Sequence, residues 1–519
     1  MTIGKSIRAV AAATAFAMGV WTSAWGQDAA GKNAIAAEKL KKVEEVAVAI
    51  PQGDGKPALT FSLAGLMENF KVPGLSLAIV ENYQIVAAKG YGAIGPESKT
   101  AVTTRTLFQA GSISKPVTAA AALWMVEHGQ LSLDTNVNDT LKSWKVPDNE
   151  FTAKQKVTLR RLMSHTAGTN VHGFPGYDVD AKIPTVVQVL NGEKPANTPA
   201  VRVEMVPGTK YQYSGGGVTI EQLLMTEVSG KPFPALLRET VLDKIGMNDS
   251  SYEQPLPAAR ASMTAAGTYA DGRPVHGRWH VYPEMAAAGL WTTPTDLANF
   301  AIEIANSKDG KSNKILSQKM TTEMLTPVLG EAGLGFFMDL KNPGQFGHGG
   351  ADEGFQAILT MNYETGNGVV VMTDSDHGIF VAGEVVRAVA KDFGWKYRSG
   401  EDVMSEIFLL ATGSGAAAAL ERYGAIKQAN SPDAQVDEGT LNLIGYLLLN
   451  NGRTSDAIAV LARNVKEYPE SGNVYDSLGE AYMRDGQKEL AIENYGRSLA
   501  IDPKNMNAVA MLKKLREMK

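Results

Sequence analysis

The sequence predicts an α/β or α+β unit, a sheet built from two ends of one region with helices inserted between them, followed by an all-α repeat region. Three observations predict it. Strand-turn-strand patterns lie near residues 75–88 and 356–373, the stretch from Gln109 to about Gly330 is mainly helical in pattern, and near the C-terminus marker residues recur 34 positions apart. At 519 residues the chain exceeds what one hydrophobic core normally serves.

From the N-terminus, Lys5 and Arg8 precede an apolar run from Ala9 to Trp21, with small residues at Ala24 and Gly26. This reads as a signal peptide over residues 1–26, too short to span a membrane, and implies a secreted, periplasmic location. An N-terminal extension, 27–54, follows. Leu63 to Phe70 reads as a short helix stopped by Val72-Pro73-Gly74. Leu75, Leu77 and Ile79 alternate with smaller residues, Glu81-Asn82 turns the chain, and Gln84 to Ala88 completes a hairpin. Val117–Glu127, Val218–Val228 and Thr295–Ile304 read as helices; Gln356–Asn362 and Gly368–Thr373 flank a turn at Glu364-Thr365-Gly366-Asn367. This unit is placed at 55–398, with a helical linker at 399–434.

In the last region, 435–519, Gly445 and Gly479, Ala457 and Ala491, and Pro469 and Pro503 stand 34 residues apart. Tyr475, Leu478, Gly479, Tyr482, Ala491, Tyr495 and Pro503 resemble the tetratricopeptide repeat, with Asn505–Met518 as an amphipathic capping helix. Such repeats either offer a surface to a protein or peptide partner or brace the preceding unit.

The net charge is −5, becoming −7 once the two N-terminal cations are removed (−5 minus 2), which argues against a nucleic-acid partner. With no cysteine, disulfides, thiolate catalysis and zinc-thiolate sites are excluded. The seven histidines are scattered, His165 with His172 and His276 with His280 being the nearest pairs, and no metal site or cofactor is expected. His377 is expected in a solvated turn.

Three segments carry chemistry. Ser112-Ile113-Ser114-Lys115 precedes the apolar helical run of Val117, Ala120, Ala121, Leu123 and Trp124. A serine at a helix start and a lysine one turn on suit acyl transfer, the amine taking the hydroxyl proton; taken alone, Ser112 also reads as a helix cap. Pro207 to Gly216 delivers Tyr213 to the start of a helix, where a phenol can relay protons. Phe346-Gly347-His348-Gly349-Gly350-Ala351 is glycine-rich, so an acyl chain can lie against backbone, and His348 could donate to a carbonyl or carboxylate.

In this order and at these separations the segments resemble the serine β-lactamase and penicillin-binding-protein superfamily, most closely class C β-lactamases, family VIII esterases and D-aminopeptidases. The resemblance covers roughly Leu59 to Trp395 and includes Gly90-Tyr91-Gly92, Leu162-Met163-Ser164-His165-Thr166-Ala167-Gly168, Ile245-Gly246-Met247 and Ala288-Gly289-Leu290. It implies a five-stranded antiparallel sheet flanked by helices with a helical subdomain across the cleft. It further implies Ser112 as nucleophile, Lys115 and Tyr213 sharing the general-base role, and an oxyanion hole from the N–H groups of Ser112 and Ala351, beside His348, Gly349 and Gly350.

Two departures narrow the reading. Gly215 stands where the class C pattern has an asparagine contacting the substrate's acyl-amide, and His348 stands where many β-lactamases have a lysine. Both favour an ester, amide or short-peptide substrate over β-lactams, and Gly215→Asn is expected to raise a low β-lactam rate. Trp279, Trp291 and Tyr177 are candidates to shape the pocket. The alternative is a catalytically silent penicillin-binding-like receptor whose repeats recruit a protein.

Overall fold

The computed structural model describes residues 34–52, 56–396, 402–432 and 434–517. The expected signal peptide and the first part of the N-terminal extension lie outside them. Helix α1 (Leu63–Asn69) is started by Ser62, whose Oγ accepts from Gly65 N at 3.1 Å, and leads into β1 (Gly74–Glu81) and β2 (Gln84–Gly92). Between them and the second half of the sheet come α2 (Ser114–Glu127), α3 (Gly215–Ser229) and α4 (Pro294–Lys308). Strands β3 (Phe337–Met338), β4 (Gln345–Asp352), β5 (Phe355–Asn362) and β6 (Asn367–Thr373) then complete an antiparallel sheet of order β2-β1-β6-β5-β4-β3.

The sheet thus has six strands, not the five implied by the resemblance. The extra one, β3, is a two-residue edge pairing Phe337 with Gly347 and Met338 with Phe346. The central pairing joins sequence-distant segments, Val371 opposite Leu77 and Val369 opposite Ile79.

Alternation along the strands divides the core in two. Ala78, Val80, Val370, Met372, Ala357 and Leu359 face the core shared with α2, α3 and α4. Leu75, Leu77, Ile79, Val369 and Val371 face a second core, covered by α5 (Gly378–Asp392), α6 (Val403–Ser414) and α7 (Ala416–Ala429).

The remaining helices follow as antiparallel pairs: α8 (Glu438–Asn450) with α9 (Thr454–Glu467), and α10 (Gly472–Arg484) with α11 (Lys488–Ile501), ending in α12 (Met506–Glu517). A methyl at 445 would sit 2.5 Å from Leu461 Cδ2 and one at 479 would sit 3.2 Å from the Tyr495 ring, so the two recurring glycines stand where paired helices touch. These helices do not form a detached module. Leu441, Ile444, Leu448 and Leu461 belong to the same buried cluster as the back of the sheet, and Phe408 of α6 packs on Phe70 with ring centroids 4.8 Å apart. Asn451 Nδ2 donates to Asn69 O at 2.8 Å, and Asn450 Nδ2 to Ala270 O at 3.2 Å. No helix among the described residues is long and apolar enough to cross a membrane.

Candidate active site

Between Phe108–Gln109, which pairs with Trp291–Thr292, and α2, the chain makes one 3₁₀ turn, Gly111–Ile113. From Thr106 to Leu123 every residue is buried except Ser112, which is half-buried. Backbone geometry forces this presentation. Gly111 has φ +49°, and a side chain there would lie 2.5 Å from Ala351 N; a methyl at Gly350 would lie 2.0 Å from Ala110 O. Strand β4 therefore lies directly on the turn, bringing the segment around Ala351 beside Ser112. Ser114 locks the turn: its Oγ donates to Gly111 O at 2.6 Å and accepts from Leu290 N at 3.0 Å, while Tyr252 OH donates to Ser114 O at 2.7 Å.

Lys115, one turn beyond, is 4% exposed. Its Nζ donates to Ser112 Oγ and to Ala287 O, each at 2.8 Å, and stands 5.0 Å from the centroid of the Tyr213 ring. Tyr213, just before the start of α3, stacks on His165 with centroids 4.2 Å apart, and lies 4.8 Å from the His172 ring and 6.2 Å from the His348 ring.

His165 had no role assigned from its motif alone. Its Nδ1 accepts from Ser214 N at 3.2 Å, so Nε2 carries the hydrogen, and burial with Lys115 nearby pushes its pKa far down. It fixes the backbone next to Tyr213 while adding no charge. The available signal was its place in Leu162–Gly168.

His348 on β4 lies in the site, but with the opposite polarity to the expected donor. Its Nδ1 stands 2.5 Å from the carbonyl oxygen of Gly349; a carbonyl can only accept, so Nδ1 bears the hydrogen. Nε2, buried and without a partner among the described residues, is left as an acceptor. Burial, then the charge of Lys115, pushes the pKa down to about 3, so the ring is neutral at pH 7.

Two buried carboxyls, Glu221 and Asp352, lie within electrostatic reach of the lysine, and a third, Glu284, lies near Asp352. Glu221 on α3 and Glu284 are each pushed up by burial to about 8, the former drawn back by Lys115; Asp352 is raised well above the carboxylate range by burial, with Lys115 and the Gly111 amide opposing.

Gly215 N donates to His172 O at 3.0 Å, and a Cβ there would meet Phe174 Cε2 at 2.9 Å. The place an asparagine would fill is therefore taken by a phenyl ring, and Gly215→Asn alone is no longer expected to help. The three expected pocket residues are all buried: Trp291 is 0% and Trp279 8% exposed, packed on each other inside the core, and Tyr177 is buried too. Indoles so large are used to fill the helical insertion. The rings beside Tyr213 are instead Phe337 at 6.4 Å, itself 6.2 Å from Tyr211. His377, expected in a solvated turn, is 7% exposed and packs toward Phe380. His276 and His280 meet at Asp178, 3.6 and 3.2 Å away, at a corner shared with Asp180.

The fold has counterparts among known proteins. A beta-lactamase from Pseudomonas fluorescens is 28% identical over 256 residues, 49% of this chain and just under two thirds, 65%, of that protein. Penicillin-binding protein 4 of Amycolatopsis lactamdurans is 26% identical over 328 residues, covering 59% of this chain and 82% of that one. The structure of the octameric penicillin-binding protein homologue from Pyrococcus abyssi superimposes with a TM-score of 0.52 at 24% identity, covering 63% of this chain and 75% of that one. The Beta-lactamase family profile matches residues 62–391, a span that holds Ser112, Lys115, Tyr213 and His348, and the chain belongs to the beta-lactamase family.

Proposed function

We propose that this chain is a serine hydrolase cleaving an ester, amide or short peptide bond through an acyl-serine intermediate, with β-lactams taken at best weakly. The observation that carries the reading is the 2.8 Å contact between Lys115 Nζ and Ser112 Oγ, at the only residue of a buried run that reaches solvent. The Ser112 proton passes to the Lys115–Tyr213 pair as Oγ attacks the substrate carbonyl. The N–H groups of Ser112 and Ala351 hold the oxyanion, and the same pair returns the proton to the leaving group. Water then attacks the acyl-serine by the reverse route.

The weak β-lactam activity follows from charge. A β-lactam carboxylate placed at His348 would face the lone pair of a neutral imidazole, so neither ion pair nor hydrogen bond forms there. A leaving group that carries a donor of its own, such as an amide N–H or a free hydroxyl, is matched instead. The C-terminal helices are read as a brace for this unit, supported by their share in its core.

The test is covalent capture with turnover. A fluorophosphonate is expected to label Ser112 in the wild type and nothing at that peptide in Ser112→Ala, and p-nitrophenyl esters to turn over faster than nitrocefin. Absence of labelling together with no ester hydrolysis would overturn the reading in favour of a silent receptor.

A further inference from the structure

Phe174 is a half-buried ring on a loop fastened at both sides. Before it, Ser214 Oγ donates to Asn170 O at 2.5 Å, Gly216 N to Val171 O at 3.0 Å and Gly215 N to His172 O at 3.0 Å. After it, Pro175 O is 2.8 Å from His280 Nδ1, and Tyr177 exchanges two backbone bonds with Val281, 2.9 and 2.8 Å. Val171 is held at φ +61°, a left-handed conformation that a β-branched residue adopts only when its surroundings impose it. The whole arrangement aims one ring at the start of α3, where Phe174 Cε2 occupies the direction a side chain at 215 would take. That position is two residues from Tyr213, and His172 on the same loop faces the Tyr213 ring at 4.8 Å.

We propose that Phe174 is the specificity-determining residue on the acyl side of the site, selecting flat or bulky apolar acyl groups that carry no amide beside the carbonyl. The proposal rests on the serine hydrolase reading. A phenyl ring has no donor or acceptor to pair with an acylamino group, which would lose its water on binding and gain nothing. An arylacetyl or branched-alkyl group gains ring contact and apolar burial at the same spot. The fastening of the loop makes this selection pre-organised, since the ring need not be ordered when substrate arrives.

The experiment compares kcat/KM for p-nitrophenyl phenylacetate, isobutyrate and acetate in wild type, Phe174→Ala and Phe174→Leu, with circular dichroism confirming that each is folded. The phenylacetate-to-acetate ratio is expected to fall about tenfold in Phe174→Ala, the range a hydrophobic pocket contact commands. Phe174→Leu, which keeps most of the volume and so supports the loop where alanine does not, is expected to shift preference from phenylacetate toward isobutyrate. Ratios within about twofold of wild type in the folded variants would overturn the assignment while leaving the hydrolase reading intact. A wild type that hydrolyses none of the esters and is not labelled at Ser112 removes both.

Discussion

At the scale of single residues, Ser112 and Lys115 hold one contact that several others exist to protect. Replacing Lys115 by methionine keeps the buried stem and removes the amine, and is expected to lower kcat/KM by about 10²–10⁴-fold with little change in melting temperature; a variant as active as wild type would remove lysine from the proton path. Gly350→Ala would press a methyl to 2.0 Å from Ala110 O, displacing strand from turn. The expected result is a loss of about 1–3 kcal/mol in urea unfolding and slower fluorophosphonate labelling. Gly215→Asn is expected to leave nitrocefin hydrolysis no faster, because Phe174 stands 2.9 Å from the new Cβ; combined with Phe174→Ala the amide has room, and a rise confined to the double variant is the expected readout. Protonation adds a further test. Glu221 and Glu284 are raised to about 8, so their favourable neutral forms are fully present at acid pH and are lost as pH climbs through that value. His348, lowered to about 3, penalises folding only as pH drops below its ordinary 6.5. Between pH 6.5 and 8.5 the carboxyls alone decide, and stability is expected to fall by up to about 1.4 kcal/mol per pH unit for each. Thermal melts across that window check it; Glu221→Gln should flatten the slope, and a melting temperature that rises with pH would contradict the assignment.

At the scale of elements, the long strands and helices were legible because their residues repeat at the period of the structure. Leu75, Leu77 and Ile79 alternate, and in the fold they share one face. The recurring glycines 445 and 479 announced helix contacts, and each meets its partner helix. Strand β3 was invisible because two residues, Phe337 and Met338, cannot show a period. The site candidates Ser112, Lys115, Tyr213 and His348 were legible through their motifs, and the structure brings them within a few ångströms. What failed was the shape of the pocket. Trp279 and Trp291 are core residues, while Phe337 stands beside Tyr213 and Phe174 beside Gly215, on segments whose position depends on contacts far away in sequence. The polarity of His348 also lay beyond the sequence, since it turns on one carbonyl, that of Gly349.

At the scale of the whole molecule, one buried cluster runs from the back of the sheet through α5 and α6 into α8 and α9. Removing residues 400–519 takes away Ile407, Phe408, Leu441 and Leu461 from it together. The truncated chain is expected to lose several kcal/mol or more, as when two or three large buried side chains are deleted, and to melt well below the full chain. Calorimetry of the full chain should show the beta-lactamase-family unit and helices α8 and α9 unfolding in one transition; two well-separated peaks, with a stable truncated chain, would show that the helices are an appendage. The pairing of β1 with β6 has a kinetic consequence. Leu77 finds Val371 only across nearly the entire beta-lactamase-family unit, so the central seam of the sheet closes late and at a large loop-entropy cost. During synthesis, the first hairpin must wait with one edge open until the last strand arrives. An antiparallel edge of Leu75-Ser76-Leu77-Ala78-Ile79 left waiting is the segment most exposed to wrong partners, and a chaperone that shields extended apolar strands would act on this protein before its active site exists.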